Sequence, residues 1–421
     1  MDNSAPSVPT PGWYATLAEK YQAGISHAFI LHLSINDLVT PGTTTRSFLN
    51  AALGSTCPVT AWYDRAQGIT FPLASMRTRF LQVTGVGSGP APPSGPLAAL
   101  QGALPGNSTP PVQLPAEPER ALPLLERLLR TPATLPEETE TRPDGVSPKH
   151  VVVIDWAETL VPATDLGAMS IGDRTALITL ERWGRDAAIM GTGNIVILLV
   201  RNLSDLHPSL RAASARYEAI PLPLPDAATR GQFIRTYLAA KPADFTTLSA
   251  PELTRQTGGL SLLHVEDILL RAQYEYDRTA GQQGLTAALV QERKAQIIET
   301  EFGGILQILE PRRRFADIGG MAALKEYIQT VVIQPMREGT EGIVDILPTG
   351  ILFSGPPGTG KTAVSEAIAA EIGINFVVFN PGKLLGQYVG QSEANLERAL
   401  AAIATLAPVG VFVDELERAP C

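Results

Sequence analysis

Residues 350–362 read Gly350-Ile351-Leu352-Phe353-Ser354-Gly355-Pro356-Pro357-Gly358-Thr359-Gly360-Lys361-Thr362. The spacing G-x-x-x-x-G-K-T between a strand and a helix is that of a phosphate-binding loop. Ile351, Leu352 and Phe353 predict a short buried strand, and residues 363–372, beginning at Ala363, predict a helix that Lys361 and Thr362 open. Between them, Gly355, Pro356, Pro357, Gly358, Thr359 and Gly360 put few side chains in the way. Glycines there let successive backbone N–H groups point inward at a phosphate, and the helix N-terminus adds its positive end. Lys361 is a point charge for β/γ-phosphates, and the Thr362 hydroxyl is a ligand for Mg²⁺.

A second chemistry-bearing stretch follows in chain order. The apolar run Val409-Gly410-Val411-Phe412-Val413 ends in Asp414-Glu415. A strand delivering two acids to the phosphate edge places Asp414 beside Mg²⁺ and lets Glu415 polarise an attacking water. An earlier run, His150-Val151-Val152-Val153-Ile154-Asp155, has the same shape, but Trp156 stands where the second acid would be. The loop 35–45 ahead of it contains no lysine. Asp155 therefore reads as a vestige or a capping group.

The elements that position these residues alternate strand and helix. Strands are predicted at 28–34, 59–63, 150–156, 194–200 and 217–224, and helices at 13–23, 44–53, 121–129, 174–190 and 208–214. Three further helices, 227–239, 250–257 and 263–276, form a helical lid. That order is an α/β parallel sheet over residues 25–280, after a segment 1–24 of disordered chain and one short helix. Residues 84–118 and 131–148, rich in Gly, Pro, Ala, Thr and Glu, read as flexible insertions. Residues 285–309 read as one long solvated helix within a connector 281–314, and 315–421 as a second α/β unit.

The chain has 421 residues, a net charge of −9 and two cysteines, Cys57 and Cys421. The acidity argues against broad nucleic-acid binding, and two cysteines make no disulfide framework or metal spacing. The N-terminus lacks the charged start and apolar core of a signal peptide. No apolar run is long enough to span a bilayer. A cytoplasmic location is the default expectation.

On four motifs the sequence resembles the AAA+ ATPases, AAA subfamily. These are Phe315-Ala316-Asp317-Ile318-Gly319-Gly320, the loop 355–362, Gly386-Gln387-Tyr388-Val389-Gly390-Gln391-Ser392-Glu393, and Asp414-Glu415. Leu406-Ala407-Pro408 and Leu416-Glu417-Arg418-Ala419 are similar to a bacterial and plastid group with a degenerate AAA-like domain ahead of an intact one. The resemblance implies a P-loop NTPase sheet flanked by helices, preceded by a degenerate AAA-like α/β domain with a helical lid. It implies that ATP and Mg²⁺ are bound, that Asp317, Ile318 and Gly319 frame the adenine, and that Tyr388 and Val389 grip a protein substrate in the pore of a homo-oligomeric ring. It places Asn202 at a sensor position and Arg211 and Arg216 at finger-like positions. It also implies segments after Asp414-Glu415 that this sequence lacks. The reading is thus of a truncated ATPase that binds ATP and hydrolyses it slowly. The alternative is a nucleotide-binding, non-hydrolysing scaffold.

Overall fold

The computed structural model describes residues 10–54, 57–86, 113–133, 149–282, 284–302, 305–309, 313–335, 350–356, 358–372, 375–380, 396, 399–400, 402–403 and 409–413. The chain divides into two units, Met1–Pro223 and Leu224–Cys421.

The first unit is built on strands β1 (Ala28–Leu33), β4 (Val59–Asp64), β5 (Gly68–Thr70), β6 (His150–Ile154), β7 (Ile195–Leu199) and β8 (Tyr217–Leu222). A small hairpin, β2 (Leu38–Thr40) with β3 (Thr43–Thr44), lies in the loop after β1. The sheet order is β5-β4-β6-β7-β1-β8, parallel except for β5, which pairs antiparallel to β4. Parallel strands covered on both faces read as unbroken apolar runs. Here successive residues go to opposite cores. Ala28, Ile30, Val152, Ile154, Val196 and Leu198 enter one, with Leu122, Leu125, Leu180 and Trp183 from helices Pro118–Arg130 and Ile171–Arg185. Phe29, Leu31, Val151, Val153, Ile195 and Ile197 enter the other, with Leu17 and Leu49 from helices Gly12–Gln22 and Thr45–Gly54.

Counting only the parallel strands in chain order, this sheet runs second, third, fourth, first, fifth. The first strand therefore sits between the fourth and the fifth, and the second and third lie together away from it. The expected alternation is present, with two differences. Residues 174–190 are two helices, Ile171–Arg185 and Ala187–Thr192, because Asp186 between them accepts from the Ala188 N–H and caps the second. The sequence reading also passed over β5 and helix Ala74–Thr84 at the far edge.

The second unit opens with helices Ala227–Leu238, Ala250–Gln256, Leu262–Arg278 and Ala287–Phe302. Asp226, Ser249 and Ser261 cap the first three by accepting N–H groups of the first turn. The expected long helix over 285–309 stops at Phe302, and Leu306–Leu309 is strand β9. Nor is it solvated throughout. Lys294 is 6% exposed, donates to the Gln256 carbonyl at 3.0 Å, and is pushed down to about 8 by burial. Strand β9 pairs antiparallel with β10 (Asn375–Phe379), and β10 pairs parallel with β11 (Val409–Val413).

One expectation is corrected. Ile351, Leu352 and Phe353 are not a buried strand: residues 350–353 carry no strand assignment, and Leu352 is 82% exposed. The first unit supplies the reason. Its first parallel strand is hydrogen-bonded to the fourth and fifth, whereas β10 and β11, second and third of their set, pair with each other as β4 and β6 do. Among the described residues no strand pairs with 351–353, and an unpaired strand is not stable alone.

In the first unit, burial holds His32 and His150 far below the ordinary imidazole range, each at about 4. The folded state keeps both neutral down to that pH, while the unfolded chain takes up protons near 6.5. Between the two values the unfolded state binds more protons, so stability falls as pH drops from 6.5 toward 4, on the order of 3 kcal/mol per histidine at the limit. Urea titrations followed by Trp62 and Trp183 fluorescence at pH 7 and pH 5 are expected to show a lower midpoint at pH 5. An unchanged midpoint would contradict this.

Candidate nucleotide site

Helix Lys361–Ile372 forms as expected and begins at the lysine. The Val364 N–H donates to the Gly360 carbonyl at 2.9 Å, the first helical bond. Gly358 and Gly360 lie at φ 81° and 85°, left-handed values that let the loop turn sharply ahead of the helix. The Lys361 ammonium folds back over this loop, donating to the carbonyls of Gly355 at 2.9 Å and Pro356 at 3.0 Å. Thr359 Oγ1 donates to the same Pro356 carbonyl at 2.9 Å. Gly355, Pro356, Gly358, Thr359 and Thr362 are all exposed, while Gly360, Lys361 and Ala363 are half-buried. Around Gly358 there is open space where a side chain would project. A loop with an exposed backbone, a cation lying over it and a hydroxyl one residue into the helix fits a phosphate with its Mg²⁺ ion.

The segment predicted to frame the adenine lies beside this helix. Phe315–Asp317 is a 3-10 turn, and the Arg314 N–H donates to Asp317 Oδ2 at 2.8 Å. The Asp317 carboxylate is thus engaged in shaping the turn. Phe315 and Ile318 pack on a small core of Ile328, Val332, Ile333, Val364 and Ile368, joined by Phe353. Lys325 Nζ donates to the Phe315 carbonyl at 2.7 Å and also to that of Ile318. From the other side, Glu366 accepts the Arg313 N–H and Glu371 that of Phe315, both at 3.3 Å. Gly319 and Gly320 are exposed, and a side chain at Gly360 would meet Met321 Cε at 3.7 Å. The structure therefore brings 315–321 against the loop's own helix. Pro357, Tyr388, Val389, Asp414 and Glu415 lie outside the described residues. Strand β11, which leads into Asp414, forms where the sequence predicts a strand, and it pairs with β10.

At the carboxyl edge of the first sheet the equivalent place is filled differently. Arg46 is the second residue of helix Thr45–Gly54, which follows β1. Its guanidinium lies 3.6 Å from Asp155 Oδ2, 4.5 Å over the Trp62 ring, and donates to Thr70 Oγ1 at 3.3 Å. Strand β6 ends at Ile154, and Trp156 takes a left-handed φ of 54°, so the chain leaves the strand direction right after Asp155. Asp155 Oδ1 accepts the Trp156 N–H at 3.0 Å. Burial raises the Asp155 carboxyl above its usual range, and Arg46 opposes that shift. Arg201 stacks 4.4 Å over Trp156, and Asn202 Nδ2 donates to Asp205 Oδ2 at 2.7 Å. Glu158 is half-buried, its carboxyl raised by burial, with Oε2 lacking a hydrogen-bond partner.

Sequence reasoning missed Arg46. The loop 35–45 carries no lysine, and the cation stands one residue beyond it, inside helix Thr45–Gly54. A signal was available. A cation in the first turn of a helix opposes the dipole and needs an anion nearby, and Asp155 was the unexplained acid.

Comparison with known proteins covers nearly the whole chain in three parts. Residues 4–223 match the AAA+ chaperone N-terminal Rossmann-like domain, residues 228–303 the AAA+ chaperone second helical domain, and residues 351–420 the AAA family of ATPases associated with various cellular activities. Among curated relatives, Protein CdcH of Halobacterium salinarum is 26% identical over 54% of this chain and 33% of its own length. Peroxisomal ATPase PEX6 of Saccharomyces cerevisiae is 28% identical over 53% of this chain and 24% of its own. ATPase family gene 2 protein of Schizosaccharomyces pombe is 25% identical over 65% and 33%. The chain thus spans about a third or less of the relatives it matches. No helix among the described residues is long and apolar enough to cross a membrane. A Rossmann-like unit, a capped four-helix block and a phosphate loop opening a helix, each matched in that order, make this chain a member of the AAA+ chaperone ATPases.

Proposed function

We propose that the second unit binds Mg²⁺-ATP and that the chain works as an ATP-driven protein-remodelling subunit in a homo-oligomeric ring. The observation that carries this is the loop itself: Lys361, at the first turn of its helix, lies on the carbonyls of Gly355 and Pro356, beside two left-handed glycines. Those carbonyl bonds are the ones a phosphate oxygen would replace. Residues 355–363 bind the phosphates, Lys361 supplying charge and the loop N–H groups supplying donors. Thr362 and Asp414 hold Mg²⁺, which when bound neutralises charge on the β- and γ-phosphates. Asp317, Ile318 and Gly319 frame the base. Glu415 orients water toward the γ-phosphate and takes its proton. Tyr388 and Val389 contact the protein substrate. Charge developing on the γ-phosphate calls for an arginine from a neighbouring subunit, an effect of about 10³ to 10⁵ in related nucleotidases.

For the first unit a non-hydrolysing role is favoured by one contact. The Arg46–Asp155 pair joins the helix-start cation to the acid after the third parallel strand, the two groups that elsewhere flank phosphate and metal. The chain then carries one working site and one closed platform.

Lys361→Ala is expected to weaken a fluorescent ATP analogue at least a hundredfold, since the loop loses its side-chain cation. The same variant also bears on the first unit, because with the loop reduced to its backbone donors any strong nucleotide affinity that survives would point elsewhere. Calorimetry of the Lys361→Ala chain with Mg²⁺-ATP is expected to show no residual heat. Low-micromolar residual binding would mean that Arg46 and Asp155 part to admit nucleotide.

Phosphate release tests the ring. If the finger comes from a neighbour, turnover per chain rises with protein concentration, and Glu415→Gln removes it while leaving ATP bound. Specific activity independent of concentration would argue for a self-sufficient subunit.

A further inference from the structure

At the opposite edge of the first sheet, where the strands begin, lies a cleft of about 390 Å³. That volume is in the range of small-molecule pockets. It is lined by Tyr21, Ile25, His27, Lys149, Met190 and Arg216, with glycines 24, 184 and 193 keeping the walls thin.

Its charge is uncompensated. Arg216 has the Met190 thioether as its side-chain partner, 3.7 Å from Nη1. The Lys149 ammonium lies 6.0 Å over the Tyr21 ring and against Gly193, where a Cβ would come within 2.5 Å of it. Neither cation has a carboxylate partner among the described residues. Two acids of neighbouring segments are engaged elsewhere: Glu218 with Lys20 and Asp186 with Arg130, each at 2.5 Å. His27, 6% exposed, donates through Nε2 to the Trp183 carbonyl at 2.9 Å, and burial holds its imidazole below the usual range. Arg216 also sits at φ 59°. A non-glycine residue there costs on the order of 1 kcal/mol, which Gly or Asn would largely avoid. Beside the cations, Ile25 is 62% and Met190 39% exposed, so the rim offers apolar contact as well.

We propose that this cleft is a binding site for a small organic anion, a carboxylate or phosphate monoester on a short apolar body. The oxyanion lies between Lys149 and Arg216, and the apolar part lies on Tyr21, Ile25 and Met190. The site is separate from the phosphate loop, and it does not depend on the proposed ATPase reading.

The test uses the full chain with phenyl phosphate and benzoate as probes and benzyl alcohol as the uncharged control. Ligand-observed NMR and calorimetry are expected to give dissociation constants of about 1 mM or tighter for at least one anion. The double variant Lys149→Met, Arg216→Asn is expected to weaken that anion at least tenfold. Asn tolerates the left-handed backbone, so the fold is kept, and an unchanged melting temperature checks it. Lys361→Ala serves as the second control, since a phosphate could also settle on the loop of the other unit. Anion binding lost with Lys361 but kept in the double variant, equal binding of benzyl alcohol, or no binding of either anion up to about 10 mM would each overturn the proposal.

Discussion

A cation at the start of a helix is the constraint on which both units turn. The aligned peptide dipoles make that end positive, so a lysine or arginine there is held only if something negative meets it. Lys361 and Arg46 are the first and second residues of their helices, Lys361–Ile372 in one unit and Thr45–Gly54 in the other. Lys361 leans on two backbone carbonyls, partial charges that a phosphate readily outcompetes. Arg46 meets the full charge of Asp155 and is further fixed by the Trp62 face and the Thr70 hydroxyl. One arrangement leaves a vacancy in electrostatic terms, and the other closes it from within.

That contrast depends on the sheet that delivers the groups. With the first strand between the fourth and fifth, the helix that follows it and the end of the third strand meet at one edge of the sheet, where Arg46 lies 3.6 Å from Asp155. The supporting parts are ordinary. Apolar strands are buried on both faces, and the antiparallel β5 brings Thr70 to the arginine. In the second unit the same logic explains why β10 and β11 are regular while residues 351–353 are not. The helix from Lys361 stays formed nonetheless. Val364 and Ile368 pack on Ile328, Val332 and Ile333, and Ala369 packs on Phe376 and Val378 of β10.

Much of this was legible in the residues. The runs around Phe29, Val152, Ile197 and Val411 are apolar and β-branched, and all became strands. The phosphate loop was legible because glycine spacing and a lysine at a helix start are local properties. What failed was non-local. Ile351-Leu352-Phe353 has strand propensity, but propensity does not supply a neighbour. Leu306–Leu309 reads as a helical continuation until β10 is there to pair with it. The Arg46–Asp155 contact joins residues far apart in sequence, and no window contains both. The cleft at the other edge gathers Tyr21, Lys149 and Arg216 from three separate segments, so it too is invisible without the fold.

The two edges of the first sheet carry opposite electrostatic states, and that opposition bears on what the unit is for. In open α/β sheets ligands bind where the strands end, because loops and helix N-termini converge there. In this unit that edge is neutralised by its own arginine and carboxylate, and Arg201 is stacked on Trp156. The edge where the strands begin, ordinarily inert, instead holds Lys149 and Arg216 with their nearby acids bound to other cations. Loss of the first pattern alone would describe a decayed enzyme. Arg216, at a left-handed φ beside an open cleft, is a second feature of this edge, since glycine or asparagine there would relax the backbone. Under the proposed reading, the unit's recognition surface lies where its strands begin, at the cleft of Lys149 and Arg216.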